Sequence, residues 1–128
     1  MIFITGGISQ GKRTFAVKAL GITGFTSGAD ASPGQVLSAE CVTDYQLFVR
    51  RLMNTDTDPE AFTKRLCGES KITAVIMNEI GCGIVPINKE ERLWRETAGR
   101  CGCILAAHAD TVVRMVCGIP TVIKGELP

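Results

Sequence analysis

Met1-Ile-Phe-Ile-Thr-Gly-Gly-Ile-Ser-Gln-Gly-Lys-Arg-Thr14 is the stretch from which the rest of the chain is read. Ile2, Phe3 and Ile4 are apolar without alternation, as expected of a strand covered on both faces of a parallel sheet. Gly6 and Gly7 end that strand. From Lys12 the chain turns to helix formers, with Phe15, Ala16, Ala19 and Leu20 at helical spacing. In such a strand–loop–helix unit, backbone N–H groups of the loop and of the helix start surround a phosphate, and a lysine reaches the outer phosphates. Gly6, four residues, then Gly11-Lys12 has the spacing of a P-loop. Gly6, Gly7, Ile8, Ser9, Gln10, Gly11, Lys12, Arg13 and Thr14 are therefore the candidate nucleotide-binding residues.

The position after the lysine normally carries Ser or Thr, whose hydroxyl binds Mg²⁺. Here it is Arg13, followed by Thr14. Lys12 and Arg13 put two cations at the positive end of a helix dipole, each unfavourable by roughly 0.3–1 kcal/mol. A bound anion removes that penalty. The competing interpretation is a glycine-rich turn that binds nothing, with Arg13 in solvent.

Moving outward, 128 residues suffice for one domain with one sizeable core, so residues 1–128 are expected to form a single nucleotide-binding domain. A net charge of +1 argues against broad electrostatic binding to nucleic acid or a membrane surface. No apolar run approaches the ~20 residues of a membrane span, and the first residues lack the charged start and cleavage site of a signal peptide. A cytoplasmic location is expected. The six cysteines, Cys41, Cys67, Cys82, Cys101, Cys103 and Cys117, contain no C-x-x-C, and a single histidine gives little support for zinc. Most are expected to be small apolar filler.

Residues 21–40 are punctuated by Gly21, Gly24, Gly28, Pro33 and Gly34. They promise at most one short strand near Ile22 and otherwise a mobile flap. Tyr45, Phe48, Val49 and Leu52 then mark an amphipathic helix with Thr43 as N-cap. Asp58, Pro59 and Glu60 start another, with Ala61, Phe62 and Leu66 inward and Gly68 as its stop. Residues 71–77 form the clearest interior strand, which delivers Glu79 to the same carboxyl rim as the glycine-rich loop. Glu79 is the candidate Mg²⁺ ligand or proton acceptor; the alternative is an exposed loop acid or a cap. Asn88 caps a long helix with Trp94, Ala98, Cys101, Leu105 and His108 on one stripe, so His108 is expected in the core. Glu91–Arg95, Arg92–Glu96 and Glu96–Arg100 are i, i+4 pairs on a solvated face. Residues 111–117 form a further strand, and residues 121–124 a short last one. The succession predicts an α/β, P-loop NTPase-like three-layer fold with a small, mainly parallel sheet.

Taken together, these motifs resemble the bifunctional adenosylcobinamide kinase / adenosylcobinamide-phosphate guanylyltransferases of cobalamin biosynthesis. That family opens with T-G-G-x-x-x-G-K, matched by Thr5, Gly6, Gly7, Gly11 and Lys12. Its N-E-x-G-x-G-x-V-P is matched by Asn78, Glu79, Gly81, Gly83, Val85 and Pro86, and its R-x-x-R-[DE]-x-x-G-R by Arg92, Arg95, Glu96, Gly99 and Arg100. The resemblance implies ATP or GTP with Mg²⁺ as cofactors, a cobinamide substrate and a homo-oligomer. In the implied kinase reaction Lys12, Glu79 and Arg95 are catalytic, with Arg92 as the alternative arginine. The chain departs from the family in four ways, one of them Gly102-Cys103 in place of an Asn-Gln pair common in the family's long helix. It is shorter in the region of residues 21–43, where the family carries the histidine that is guanylylated. The family's D-C-L-T motif is echoed only by Glu40-Cys41-Val42-Thr43 or by Asp44. Arg13 replaces the usual Ser. The resemblance therefore implies a kinase without the guanylyl transfer, or alternatively a catalytically impaired nucleotide-binding regulatory or accessory protein.

Overall fold

A computed structural model describes residues 1–80 and 88–128. The elements run β1 (Ile2–Gly6), α1 (Lys12–Leu20), β2 (Phe25–Ser27), α2 (Pro33–Leu37), β3 (Cys41–Thr43), α3 (Tyr45–Leu52), α4 (Pro59–Glu69), β4 (Ala74–Asn78), α5 (Lys89–His108), β5 (Thr111–Val116) and β6 (Ile119–Lys124). They build a six-stranded sheet in the order β2-β3-β4-β1-β5-β6. All neighbours are parallel except β5 and β6, which form a hairpin. Among the described residues no helix is long and apolar enough to cross a membrane.

Alternation along each strand sorts the core into two layers. Phe3, Val42, Val75, Met77 and Val112 face Tyr45, Phe48, Leu66, Trp94, Ala98, Cys101 and Leu105 of α3, α4 and α5. Ile4, Cys41, Ala74, Ile76, Val113 and Met115 face the other way, onto Ala16 of α1 and Ile22. The architecture is thus the expected α/β three-layer one with a mainly parallel sheet. β1 is central, and its register sets Gly6 beside Asn78 of β4 and Met115 of β5. The helices after β1 and β4 leave on opposite faces, so a crevice opens at the carboxyl ends of these adjacent strands.

Residues 21–40 depart most from expectation. In place of a flap there are two stretches of regular structure, and β3 follows directly. β2 lies at Phe25, not Ile22. Ser32 accepts from Gln35 N–H while the Gln35 side chain accepts from Ser32 N–H, a capping box that starts α2 at Pro33. The N-cap of α3 is Asp44, with Thr43 still in β3. Helix α4 runs through Gly68 to Glu69. Its buried residues are Pro59, Phe62, Thr63 and Leu66, whereas Ala61 is exposed. Thr63 Oγ1 donates to Pro59 O and pairs with Tyr45 Oη at 2.8 Å, a buried polar link between α3 and α4. β4 starts at Ala74 rather than at 71, and β6 begins earlier than expected, at Ile119.

His108 is exposed, contrary to expectation. The buried stripe of α5 steps from Leu105 by four to Ala109, which leaves His108 turned outward with Nδ1 3.1 Å from Ile104 O. Arg100 also differs from the expected pairing, meeting Glu60 of α4 at 3.3 Å. Cys41 and Cys101 are buried and Cys67 is half-buried, whereas Cys103 and Cys117 are exposed and do not fill the core. Burial pushes the Cys41 thiol up to about 12. Gly81, Cys82, Gly83, Val85 and Pro86 lie outside the described residues.

Candidate functional site

The glycine-rich loop leaves β1 at the carboxyl rim and enters α1 through Ser9 and Gly11, both with positive φ (57° and 88°). Helix α1 starts with no side-chain cap and no acid in its first turn. Its first N–H groups therefore lack the partner that most helix starts find in their own sequence, as suits an anion site. Lys12 is 6% exposed and folds back over the loop. Its Nζ donates to Gly7 O at 2.6 Å and to Gly6 O at 3.3 Å. Burial holds the Lys12 pKa below the ordinary lysine value, and the carboxylates of Asp44 and Glu79 partly oppose that shift.

Residues 9–14 line one side of an open cleft of about 360 Å³, with Thr43, Asp44, Ile76 and Asn78 on the other. The structure thus brings Ser9, Gln10, Gly11, Lys12, Arg13 and Thr14 to one cleft. Gly6 and Gly7 serve through their carbonyls, and Ile8 stands out at the loop tip, 75% exposed. Arg13 is exposed, and its guanidinium lies 4.4 Å over the Phe25 ring. Such stacking holds the cation beside the cleft without a carboxylate ion-pair partner among the described residues.

Glu79 reaches the rim as expected. Its N–H donates to Gly6 O at 2.8 Å, so β4 and the loop share that carbonyl with Lys12. Its carboxylate meets Arg114 of β5 in a two-pronged pair, Nε to Oε1 at 2.7 Å and Nη2 to Oε2 at 3.1 Å. Arg95 is half-buried on α5, 3.9 Å from Glu91, and is not among the described residues lining the cleft.

Three further residues stand at or behind this rim. Asp44, weighed against Glu40 as the middle acidic residue, stands at the carboxyl end of β3 and lines the cleft. Glu40 lies at the other end of that strand, accepting from Thr23 N–H and Gly24 N–H. Gln46, 3% exposed, ties the rim together: its Nε2 donates to Asp44 Oδ1 at 3.4 Å, its Oε1 accepts Asn78 N–H at 3.0 Å, and its carbonyl accepts from Trp94 Nε1 at 2.8 Å. Arg114 is the third. An acid directly after Cys41-Val42-Thr43 was the one sequence signal for Asp44; nothing local marks Gln46 or Arg114.

Mg²⁺ takes oxygen ligands and usually binds through one or two carboxylates plus substrate phosphates. Asp44, with the hydroxyl-bearing Thr14 and Thr43 lining the same cleft, fits that donor set. Among the described residues there is no cluster of three His, Cys, Asp or Glu that would cage a metal without a nucleotide. If Arg13 serves the phosphates in place of the missing hydroxyl, nucleotide binding depends only weakly on Mg²⁺, and Arg13→Ser raises that dependence. Calorimetry with and without Mg²⁺ checks this; strict dependence in both proteins would assign Arg13 to its Phe25 stack alone.

A family model described as cobinamide kinase / cobinamide phosphate guanyltransferase matches residues 29–123. The glycine-rich loop precedes that span. The Bifunctional adenosylcobalamin biosynthesis protein CobU of Salmonella typhimurium is 32% identical over 112 residues, covering 75% of this chain and 62% of that protein. The protein of the same name from Escherichia coli is 34% identical over 112 residues, with the same 75% and 62% coverage. The chain thus spans less than two thirds of the length of the curated relatives it matches.

Proposed function

The chain belongs to the cobinamide kinase / cobinamide phosphate guanyltransferase family, and from that membership we propose that it is a nucleotide-dependent kinase of cobalamin biosynthesis. It binds ATP or GTP at residues 6–14 and transfers the γ-phosphoryl group to the aminopropanol hydroxyl of adenosylcobinamide. The observation that carries this reading is the placement of Lys12, buried at the centre of the loop and facing the same cleft as Asp44. Phosphoryl transfer needs positioning and charge stabilisation more than covalent chemistry. Lys12 exchanges its loop carbonyls for phosphate oxygens, and the N–H groups at the start of α1, which no side chain caps among the described residues, take others. Asp44 and the hydroxyls of Thr14 and Thr43 would hold Mg²⁺, which supplies further charge neutralisation when bound. The acceptor oxygen forms its bond to the γ-phosphorus as the bond to the β-phosphate oxygen breaks, and ADP or GDP leaves. Glu79, held by Arg114, takes the hydroxyl proton. Arg95 and Arg92, in the first two turns of α5, are assigned to the acceptor's side. Residues 1–128 act in this reading as one nucleotide-binding unit assembled with copies of itself, which the exposed Ile119, Val122 and Ile123 of edge strand β6 support.

A second reading, an accessory protein that binds nucleotide without turnover, is favoured by one observation. Both carboxylate oxygens of Glu79 are already held by Arg114. Mass analysis of adenosylcobinamide after incubation with the protein, Mg²⁺ and ATP or GTP separates the two. A gain of one phosphoryl group supports the kinase; nucleotide binding with no gain supports the accessory protein.

Incubation with GTP and Mg²⁺, without adenosylcobinamide, leaves the protein's intact mass unchanged. Guanylyl transfer through a covalent intermediate needs an imidazole that can attack the α-phosphorus and then leave. The chain's one histidine, His108, ends α5 just ahead of Asp110, whose N–H donates to Met1 O. That is the amino edge of the sheet, opposite the loop. A gain of one GMP, lost in His108→Ala, would overturn this.

A further inference from the structure

The glycine-rich loop is fastened on the side away from α1. β5 and β6 are joined by a two-residue turn, Cys117-Gly118, between the paired residues Val116 and Ile119. Both central residues have positive φ, 50° and 78°, the geometry of a type I′ hairpin. The ladder gives the N–H groups of these two exposed residues no partner. Gln10 supplies both partners. Its side-chain Oε1 accepts Cys117 N–H at 2.5 Å, and its main-chain carbonyl accepts Gly118 N–H at 3.1 Å. The other end of the same amide turns back into the loop, where Nε2 donates to Ile8 O at 3.3 Å.

Packing closes behind these bonds. A Cβ on Gly11 would lie 3.4 Å from Gly118 Cα, and one on Gly6 only 2.5 Å from Met115 O. Loop and hairpin therefore meet along their length, with Gln10 as the polar clasp.

We propose that Gln10 is a positioning residue, which holds residues 7–11 in their anion-accepting shape by docking them on the β5–β6 turn. This goes beyond the nucleotide-binding role of the loop and rests on it only for its consequence. The turn is thereby a working part of the site although it touches no ligand. A loop that must be reordered before binding loses affinity by the fraction of time it is competent.

Gln10→Met keeps the side-chain length and removes both side-chain hydrogen bonds. Amide hydrogen exchange at Cys117 is expected to speed up in the ligand-free variant. Its melting temperature is expected to stay close to that of the native chain, while ATP or GTP binding weakens about tenfold, the scale of one to two lost hydrogen bonds. Gln10→Glu retains an acceptor for Cys117 N–H and is expected to restore its protection. Unchanged exchange in Gln10→Met would overturn the clasp, and faster exchange with unchanged affinity would overturn its role in binding. Should the native chain bind no nucleotide, the function proposed above fails, and the exchange results still decide whether the clasp exists.

Discussion

Lys12→Ala lowers affinity for ATP or GTP by about 2–4 kcal/mol, the scale of deleting one member of a desolvated charge pair. Three features make the effect large. Lys12 is buried, so its charge acts on a phosphate through little water. Its ligand-free partners are two backbone carbonyls, Gly6 O and Gly7 O, which a phosphate can replace without breaking an ion pair. Arg13, stacked over Phe25, stands at the cleft edge and not at its centre. The burial that lowers the Lys12 pKa also sets a pH dependence. In the ligand-free protein the folded chain gives up this proton before the unfolded chain does. Lys12 therefore makes stability rise with pH between its lowered value and the ordinary lysine value. Binding of a polyphosphate favours the charged form, so affinity falls as pH climbs through the same window. Calorimetric affinities for the native chain and Lys12→Ala test both statements; an unchanged affinity in the variant would remove the phosphate site.

The second large effect is on stability. Gly6→Ala is expected to cost about 3 kcal/mol and to lower the melting temperature by about 10–15 °C. Gly6 has φ of 149°, where a side chain is strained, and the added Cβ would lie 2.5 Å from Met115 O, a backbone atom of the adjacent strand. β1 cannot retreat from β5, because Gly6 O is held on the other side by Glu79 N–H at 2.8 Å. A melting curve within a few degrees of the native one would show that the strands separate more easily than this register implies.

What was legible in the chain was local. β1 and the loop announce themselves by an apolar run and by glycines at fixed offsets, and α3 and α5 by long apolar periods. β3 is three residues long, too short for any period, so Asp44 at its end was only one of two candidates for a middle acidic residue. Its place in the cleft follows from pairing with β4 in the sheet. Arg114 shares a face with Val112 and Val116 in a readable strand, yet its partner Glu79 is reached across β1. His108 is turned outward because the buried stripe of α5 passes from Leu105 to the C-cap residue Ala109, a one-residue difference in phase. The capping box at Ser32 and Gln35 was present in the residues, but the glycines around it masked the signal.

The central position of β1 has a consequence for biosynthesis. Its neighbours β4 and β5 both come later in the chain, and Met1 bonds with Asp110 across 109 positions. At roughly 5–20 residues per second of translation, Ile2-Phe3-Ile4 waits some 5–20 s after emerging before β5 exists to cover it. During that interval the apolar strand is a target for chaperones and for self-association on the ribosome. The phosphate loop cannot take shape earlier either, since Gly6 packs on Met115 and Gln10 on the turn beyond it. The loop of the nascent chain therefore takes its shape only once β5 and the turn after it have been made, in the same step that covers β1.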